Sequence, residues 1–180
     1  MLQNLEKAIF DAVTTAAPET RVAIAFSGSL GSSLLAKVCQ TLGKEIVLLT
    51  IGFPGSHDIE FSKKISALMG LTHKIAELDH RDFQETLVHV REKIGCSNTS
   101  HIENCIAFTF VAKLALQTGI DSVLTANGCD ELFCGYNGYR LVFDQGRMAI
   151  EKFMDEKIAN EFALMAEISS VTQPIGVKVK

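Results

Sequence analysis

Small and polar residues that could hold a phosphate follow the first β-prone run of the chain. Residues 27–33, Ser-Gly-Ser-Leu-Gly-Ser-Ser, come after the run at 21–26 and before a segment with helical spacing. Small side chains let the backbone approach an anion closely, and the N–H groups at a helix start attract it. There is no Lys as in a Walker A loop, and Gly28 and Gly31 are not spaced as in G-x-G-x-x-G. A phosphate site and an ordinary tight turn both remain open.

A second loop carries adjacent acids. Residues 125–136, Thr-Ala-Asn-Gly-Cys-Asp-Glu-Leu-Phe-Cys-Gly-Tyr, follow another β-prone run. In a parallel sheet the loops after the strands meet at one edge, so Asp130 and Glu131 are expected beside the first loop. Carboxylate oxygens suit Mg²⁺, whereas two acids in a first helical turn can also simply offset the helix dipole. The two loops together are more specific for a phosphate and metal site than either one.

Alternating strands and helices must position these loops. The apolar patterns predict strands at 21–26, 45–53, 72–78 and 121–125, and a last one at 175–180. Helices are predicted over the first 16 or so residues and at 34–42, 58–69, 82–94, 100–117 and 147–167, with Ser100-x-x-Glu103 as a capping box. This order predicts an α/β fold, a parallel sheet with helices on both faces. Residues 1–145 are expected to form this α/β domain, and 146–180 a helical C-terminal segment.

Composition limits the classes of function. The 180 residues include 17 Lys and Arg and 21 Asp and Glu, a net charge of −4, which argues against a nucleic-acid partner bound through bulk positive charge. We expect no membrane span and no secretory signal, because the longest strongly apolar run is short and the N-terminus lacks a basic region. Five cysteines without a C-x-x-C pair predict reduced thiols and a cytoplasmic location.

The two loops, in this order, resemble those of a known family. Residues 22–38, VAIAFSGSLGSSLLAKV, resemble the PP-loop S-G-G-x-D-S of the ATP pyrophosphatase superfamily. Residues 48–66 resemble the second strand and helix of asparagine synthases, and residues 124–136, LTANGCDELFCGY, resemble their segment S-G-E-G-A-D-E-L-F-G-G-Y. The similarity covers residues 20–145 and implies the synthetase domain of that family, with a Rossmann-like PP-loop fold.

The resemblance implies an ATP-dependent reaction. The family activates the β-carboxylate of aspartate as β-aspartyl-AMP, releases pyrophosphate, and lets ammonia displace AMP. The residues implied to cradle the pyrophosphate part of ATP are Ser27, Gly28, Ser29, Ser32 and Ser33. Phe26 and Ile51 would line the adenosine pocket, and Gly128 would let its loop approach the nucleotide. Asp130 would hold Mg²⁺, with Glu131 beside it at the catalytic centre.

Two departures fall within these motifs. Gly31 stands where the PP-loop pattern has Asp, with Ser29 in place of its second Gly, and Asn127 stands where the second pattern has Glu. Asp130 is therefore the one carboxylate left of the pair expected near Mg²⁺, and more of the ATP charge goes uncompensated. A degenerate domain that binds ATP or AMP without turnover stays open as an alternative. So does a PP-loop ligase that acts on another acid.

The two ends of the chain bear on its partners. Residue 2 is Leu, whereas glutamine-dependent members begin with a catalytic Cys after Met, so the sequence predicts no N-terminal glutaminase domain. Ammonia, or a glutaminase on a partner chain, is then the expected nitrogen source. The C-terminal helical part looks truncated, because the family continues into helices that complete the aspartate pocket. An uncovered apolar face there would favour homo-oligomers.

The remaining cysteines and histidines give weaker signals. Cys96-x4-His101-x3-Cys105 could be completed to a zinc site by Cys129 or Cys134, but the spacing matches no tight zinc motif. Buried thiols acting as small apolar side chains are therefore favoured over a metal site.

Overall fold

Five parallel strands form the single sheet in the computed structural model, which describes residues 2–180. They are β1 Arg21–Ala25, β2 Glu45–Gly52, β3 Thr72–Glu77, β4 Ser122–Leu124 and β5 Lys178–Val179, in the spatial order β3-β2-β1-β4-β5. The predicted α/β class with a parallel sheet is confirmed. Two long apolar strand predictions were accurate to a residue or two, because β1 and β2 are buried on both faces.

Eight α-helices surround the sheet in the described part of the chain. They are α1 Leu2–Ala16, α2 Leu30–Thr41, α3 His57–Met69, α4 His80–Ile94, α5 Thr99–Gln117, α6 Cys129–Leu132, α7 Tyr139–Val142 and α8 Arg147–Thr172. Short 3₁₀ turns occupy Phe143–Gln145 and Gln173–Ile175. The four-residue helix α6 lies where the sequence predicted loop, α7 lies in a stretch for which no element was predicted, and α8 continues past the predicted 167.

Side chains that alternate along the strands build two cores, one on each face. Val22 and Ile24 of β1 pack on the face covered by α1 and α2, together with Val13 of α1. Ala23 and, from β2, Leu49 point to the opposite face, which α4, α5 and α8 cover. Helices therefore lie on both faces of the sheet, as predicted.

Side-chain caps fix the starts of two helices, at positions other than the predicted ones. The side chain of Asn98 accepts a 3.1 Å hydrogen bond from the Ser100 N–H and caps α5, so the capping box assigned to Ser100 is wrong. Asp79 caps α4 by accepting from the Asp82 N–H at 2.8 Å. Asn and Asp are strong N-caps. Asp79 and Asn98 stand three and two residues before the predicted helix starts at 82 and 100, so both helices begin earlier than predicted.

The segment after residue 145 packs into the same core as the rest of the chain. Leu164 and Ile168 of α8 are buried against α5, and β5 pairs with β4 through Ser122 and Lys178. Met148 and Phe162, on the same helix, are exposed. No described helix combines the length and apolar character that crossing a membrane requires.

Candidate functional site

The two candidate loops leave neighbouring strands at the point where the strand order reverses. From β1 the chain proceeds to β2 and β3 on one side, and β4 then pairs with the other side of β1. In open parallel sheets such a switch point leaves a crevice at the carboxyl ends of the strands, where ligands bind. A cavity of about 900 Å³ lies here and is lined by both loops.

Three hydroxyl groups converge on the side of the cavity formed by the loop after β1. The Ser27 Oγ donates to the Ser29 Oγ at 2.9 Å, and the Ser32 Oγ lies 3.3 Å from the Ser29 Oγ. Ser29 is the N-cap residue of α2 and its side chain makes no capping bond, so the first N–H groups of the helix need other partners. Hydroxyls and helix N–H groups together suit an anion.

Gly28 and Ser33 do not line the cavity. Gly28 has a φ of +79°, and a Cβ there would lie 3.1 Å from the Phe61 ring and 3.2 Å from the Ser62 Cα. The Ser33 Oγ donates to the Gly28 carbonyl at 3.2 Å. These two residues shape the loop and let α3 pack closely beneath it.

Apolar side chains form another part of the cavity wall. Phe26 and Ile51 both line it, at the ends of the neighbouring strands β1 and β2, as do Phe108 and Val111 of α5. The Phe26 ring is buried and packs edge-on against the His73 ring with centroids 5.9 Å apart. Such a wall is suited to the flat apolar face of a heterocyclic base.

The loop after β4 presents its two acids in different environments. Asp130 is exposed, and its side chain lies against Gly135, where a Cβ would collide with the carboxylate. Glu131 is buried with 3% of its surface exposed. The Tyr136 hydroxyl donates to its carboxylate, and the Tyr139 hydroxyl donates to its backbone carbonyl at 2.9 Å. Burial, and then the bond to Glu131, raise the pKa of Tyr136 well above its usual range.

A carboxylate that the sequence did not reveal also reaches the cavity. Glu161 of α8 accepts a 2.8 Å hydrogen bond from the side-chain amide of Asn127, which in turn accepts one from the Thr125 hydroxyl at 2.5 Å. Burial and the charge of Glu131 raise the pKa of Glu161, although the Asn127 bond opposes the shift. An acid from α8 therefore lies beside position 127, where the resembled motif has Glu. No local pattern in the sequence identifies Glu161, because it lies 34 residues away from Asn127.

The other departure, Gly31, lies directly beside Ala126 of the second loop. A Cβ at Gly31 would lie 3.3 Å from the Ala126 Cβ and 3.7 Å from the Cys129 Cβ. The motif that residues 124–136 resemble has Gly at the position of Ala126, and the PP-loop has Asp at that of Gly31. The methyl group of Ala126 therefore fills space that the Cβ of an Asp would need.

The charges around the cavity are all of one sign. None of the described residues that line it is Lys or Arg. Four acids line it: Asp58, Asp130, Glu131 and Glu161. Oxygen donors of this kind fit Mg²⁺, and a bound anion would need such a cation to offset the acids. Asp130, from the loop after β4, and Glu161, from α8, both line the cavity and could hold such a cation.

The family was identified by comparison with known proteins. A family model described as asparagine synthase matches residues 4–173. The chain belongs to the asparagine synthase family. The resemblance expected from the two loops is therefore confirmed, and the match continues through α8.

Curated relatives are distant and much longer than this chain. A protein named "Putative asparagine synthetase 1 (glutamine-hydrolyzing)", from Methanocaldococcus jannaschii, is 24% identical over 148 residues, which is 82% of this chain and 27% of that protein. Glutamine-hydrolyzing asparagine synthetase 2 of Oryza sativa subsp. japonica is 26% identical over 74% of this chain and 24% of its own length. The chain thus spans about a quarter of the length of these relatives.

Among solved structures, a predicted subunit of a tRNA methyltransferase from Methanocaldococcus jannaschii superposes with a TM-score of 0.40 and 22% identity. The superposition covers 60% of this chain and 53% of the methyltransferase subunit. A similarity of this size says nothing about what the chain does.

Proposed function

We propose that the cavity binds ATP with Mg²⁺ and serves an ATP-dependent amide-forming ligase of the asparagine synthase type. One observation carries the proposal: the hydroxyl cluster of Ser27, Ser29 and Ser32 and the acids of the second loop line one cavity at the switch point of the sheet. Family membership and the names of the relatives support this class of function.

The proposed reaction forms an amide in two displacements. A carboxylate oxygen of the acceptor, which the family indicates is aspartate, attacks the α-phosphorus of ATP. The bond from that phosphorus to the bridging oxygen breaks, and pyrophosphate leaves with the electron pair. Ammonia then attacks the acyl carbon of β-aspartyl-AMP, AMP leaves, and the nitrogen loses a proton.

The residues of the cavity divide the work of positioning. The three serine hydroxyls and the N–H groups of α2 would hold the pyrophosphate part, and Phe26 and Ile51 would contact the adenosine. Asp130 and Glu161 would hold Mg²⁺, which when bound offsets the phosphate charge. Such preorganised positioning and charge compensation are what a displacement at phosphorus needs most.

Calorimetric titration of the whole chain with ATP, with and without Mg²⁺, tests the proposal. We expect binding that requires Mg²⁺, and about tenfold weaker binding for Ser32→Ala, because one hydrogen bond to a charged group is lost. Thr41→Ala is the matched control, since Thr41 is exposed at the far end of α2 and its hydroxyl bonds only the Lys37 carbonyl. The absence of binding at millimolar ATP and Mg²⁺ would contradict the proposal.

Binding without turnover is the second candidate. It is favoured by Gly31, where a carboxylate of the PP-loop is missing and the methyl of Ala126 takes up the space. Pyrophosphate release measured with aspartate and ammonia, and then with other carboxylic acids, separates the candidates: binding without release supports the second, and release with another acid alone excludes aspartate. A cytoplasmic location, self-association and a glutaminase partner chain remain predictions.

A further inference from the structure

Three side chains of metal-binding type meet away from the cavity, where α4 ends, α5 begins and α8 passes. They are Cys96, His101 and Glu167, and one donor atom from each lies within 4.8 Å of the other two. None of the three lines the cavity. Sequence spacing had paired Cys96 and His101 with other cysteines, whereas the structure adds a carboxylate from α8.

Both ring nitrogens of His101 lie close to oxygen atoms of α8 side chains. Its ring is buried with 5% exposed, its Nδ1 lies 2.8 Å from the Glu167 carboxylate, and its Nε2 lies 3.2 Å from the Asn160 Oδ1. A neutral imidazole has one donor and one acceptor nitrogen, so His101 can donate to only one of these two oxygens. When Nε2–H donates to Asn160, the Nδ1 lone pair is left facing a carboxylate oxygen.

In that tautomer, a cation bound by both Nδ1 and the carboxylate would remove the opposition; at zinc–ligand distances of about 2.0–2.2 Å the two atoms, 2.8 Å apart here, would separate slightly. A metal-bound histidine ordinarily donates its other ring N–H to an oxygen acceptor, which fixes the ring and its tautomer. The Asn160 Oδ1 holds that second position here. The arrangement therefore has both the ligand and its orienting partner in place.

The thiol of Cys96 completes the donor set. Cys96 follows Gly95, the left-handed residue that ends α4, and its Sγ accepts a 3.2 Å hydrogen bond from the Asn98 N–H. Cys105, one turn beyond His101 on α5, is a neighbouring thiol, and burial together with Glu167 and Cys96 raises its pKa to about 12. Cys96, which is partly exposed in its loop, is the thiol that lies within the cluster, whereas Cys105 is buried and is not part of it.

We propose that Cys96 Sγ, His101 Nδ1 and a Glu167 carboxylate oxygen bind one divalent cation of the Zn²⁺ class, with Asn160 as a positioning residue. Thiolate and imidazole select zinc over magnesium or calcium, and zinc accepts three protein ligands with a fourth position left to water. Binding releases the Cys96 proton. The site joins α4, α5 and α8 and is separate from the proposed nucleotide function.

Cobalt substitution in the whole chain tests the site. The protein is stripped with a chelator, kept reduced with a phosphine, and titrated with Co²⁺. We expect one Co²⁺ per chain with a near-ultraviolet thiolate-to-cobalt band, displacement by Zn²⁺, and a higher Tm with metal. Cys96→Ser should abolish the band, and Asn160→Ala should keep it while weakening Zn²⁺ affinity about 10- to 100-fold.

Matched controls make the result decisive. Cys134→Ser and His89→Gln change a thiol and an exposed imidazole outside the cluster, and both should bind like the parent. Because His101→Gln alters a buried residue, the conclusion depends on Cys96→Ser and Asn160→Ala, with circular dichroism confirming that each folds. A parent without the thiolate band overturns the proposal, as does a band that survives Cys96→Ser. A doubly protonated His101 in NMR spectra of the zinc-treated parent does so too.

Discussion

Returning a carboxylate to position 31 tests the role of the space around Gly31. In Gly31→Asp the new Cβ lies 3.3 Å from the Ala126 Cβ, closer than ordinary van der Waals contact. Overpacking of this kind costs about 1–3 kcal/mol. An acid in the first turn of α2 regains about 0.3–1 kcal/mol from the helix dipole, and replacing Gly gains about 0.4–1 kcal/mol through the unfolded state. We therefore expect the single variant to lie between about 1 kcal/mol more stable and about 2 kcal/mol less stable than the parent.

The double variant Gly31→Asp/Ala126→Gly separates crowding from the other effects. Removing the methyl of Ala126 relieves the contact only when position 31 has a side chain. A double-mutant cycle in urea should therefore show a favourable coupling of about 1–3 kcal/mol between the two positions. A coupling below about 0.5 kcal/mol would refute the inference that Ala126 fills the space of the missing acid.

The same pair of positions reports on the metal. With Mg²⁺, we expect Gly31→Asp/Ala126→Gly to bind ATP about tenfold more tightly than Gly31→Asn/Ala126→Gly, a variant of the same size without the charge. Without Mg²⁺ the order should reverse, because the added carboxylate then repels the phosphates. Calorimetry measures both affinities. Equal affinities of the Asp and Asn variants in Mg²⁺ would refute the proposed metal position.

Three further changes have defined outcomes. Glu161→Gln, which keeps an acceptor for Asn127, should raise the Tm at neutral pH. Because the pKa of Glu161 is raised in the folded state, the stability of the parent falls as the pH rises from 4.5 through the shifted value. Thermal melts of the variant across pH should lack that fall. Cys134→Gly should stabilise the fold by about 1 kcal/mol in urea unfolding, because Cys134 has a φ of +56°, and Cys134→Ala should show no such gain. Burial, and then the charge of Lys63, lower the pKa of His73, so stability should drop as the pH falls below 6.5, and His73→Gln should flatten that profile in melts across pH.

Elements that are buried continuously were predictable from the sequence. The strand predicted at 45–53 is β2, Glu45–Gly52, because an unbroken apolar run has few alternatives in a chain of this composition. The four-residue helices α6 and α7 were not predictable, since they are too short to show a period. Their position is determined instead by contacts such as the bond from the Tyr139 hydroxyl to the Glu131 carbonyl.

The same distinction separates the parts of the candidate site. The two loops were predictable because the carboxyl ends of parallel strands share one edge, and the sequence identifies the residues that follow each strand. Glu161 and Glu167 were not predictable, because each resembles an ordinary solvated acid on α8 until the packing of α8 against α5 is known. The partners of both, Asn127 and His101, had been noted without them.

One helix connects the two proposed binding sites. Glu161 and Glu167 are six residues apart on α8, which corresponds to about 9 Å along the helix axis. A ligand that binds either carboxylate therefore acts on the position or the mobility of the same helix, α8. Thermodynamic reciprocity then requires that, if zinc alters the affinity for nucleotide by some factor, nucleotide alters the affinity for zinc by the same factor. Coupling through α8 would thus make nucleotide binding at the cavity depend on the zinc concentration, and zinc binding depend on the nucleotide concentration.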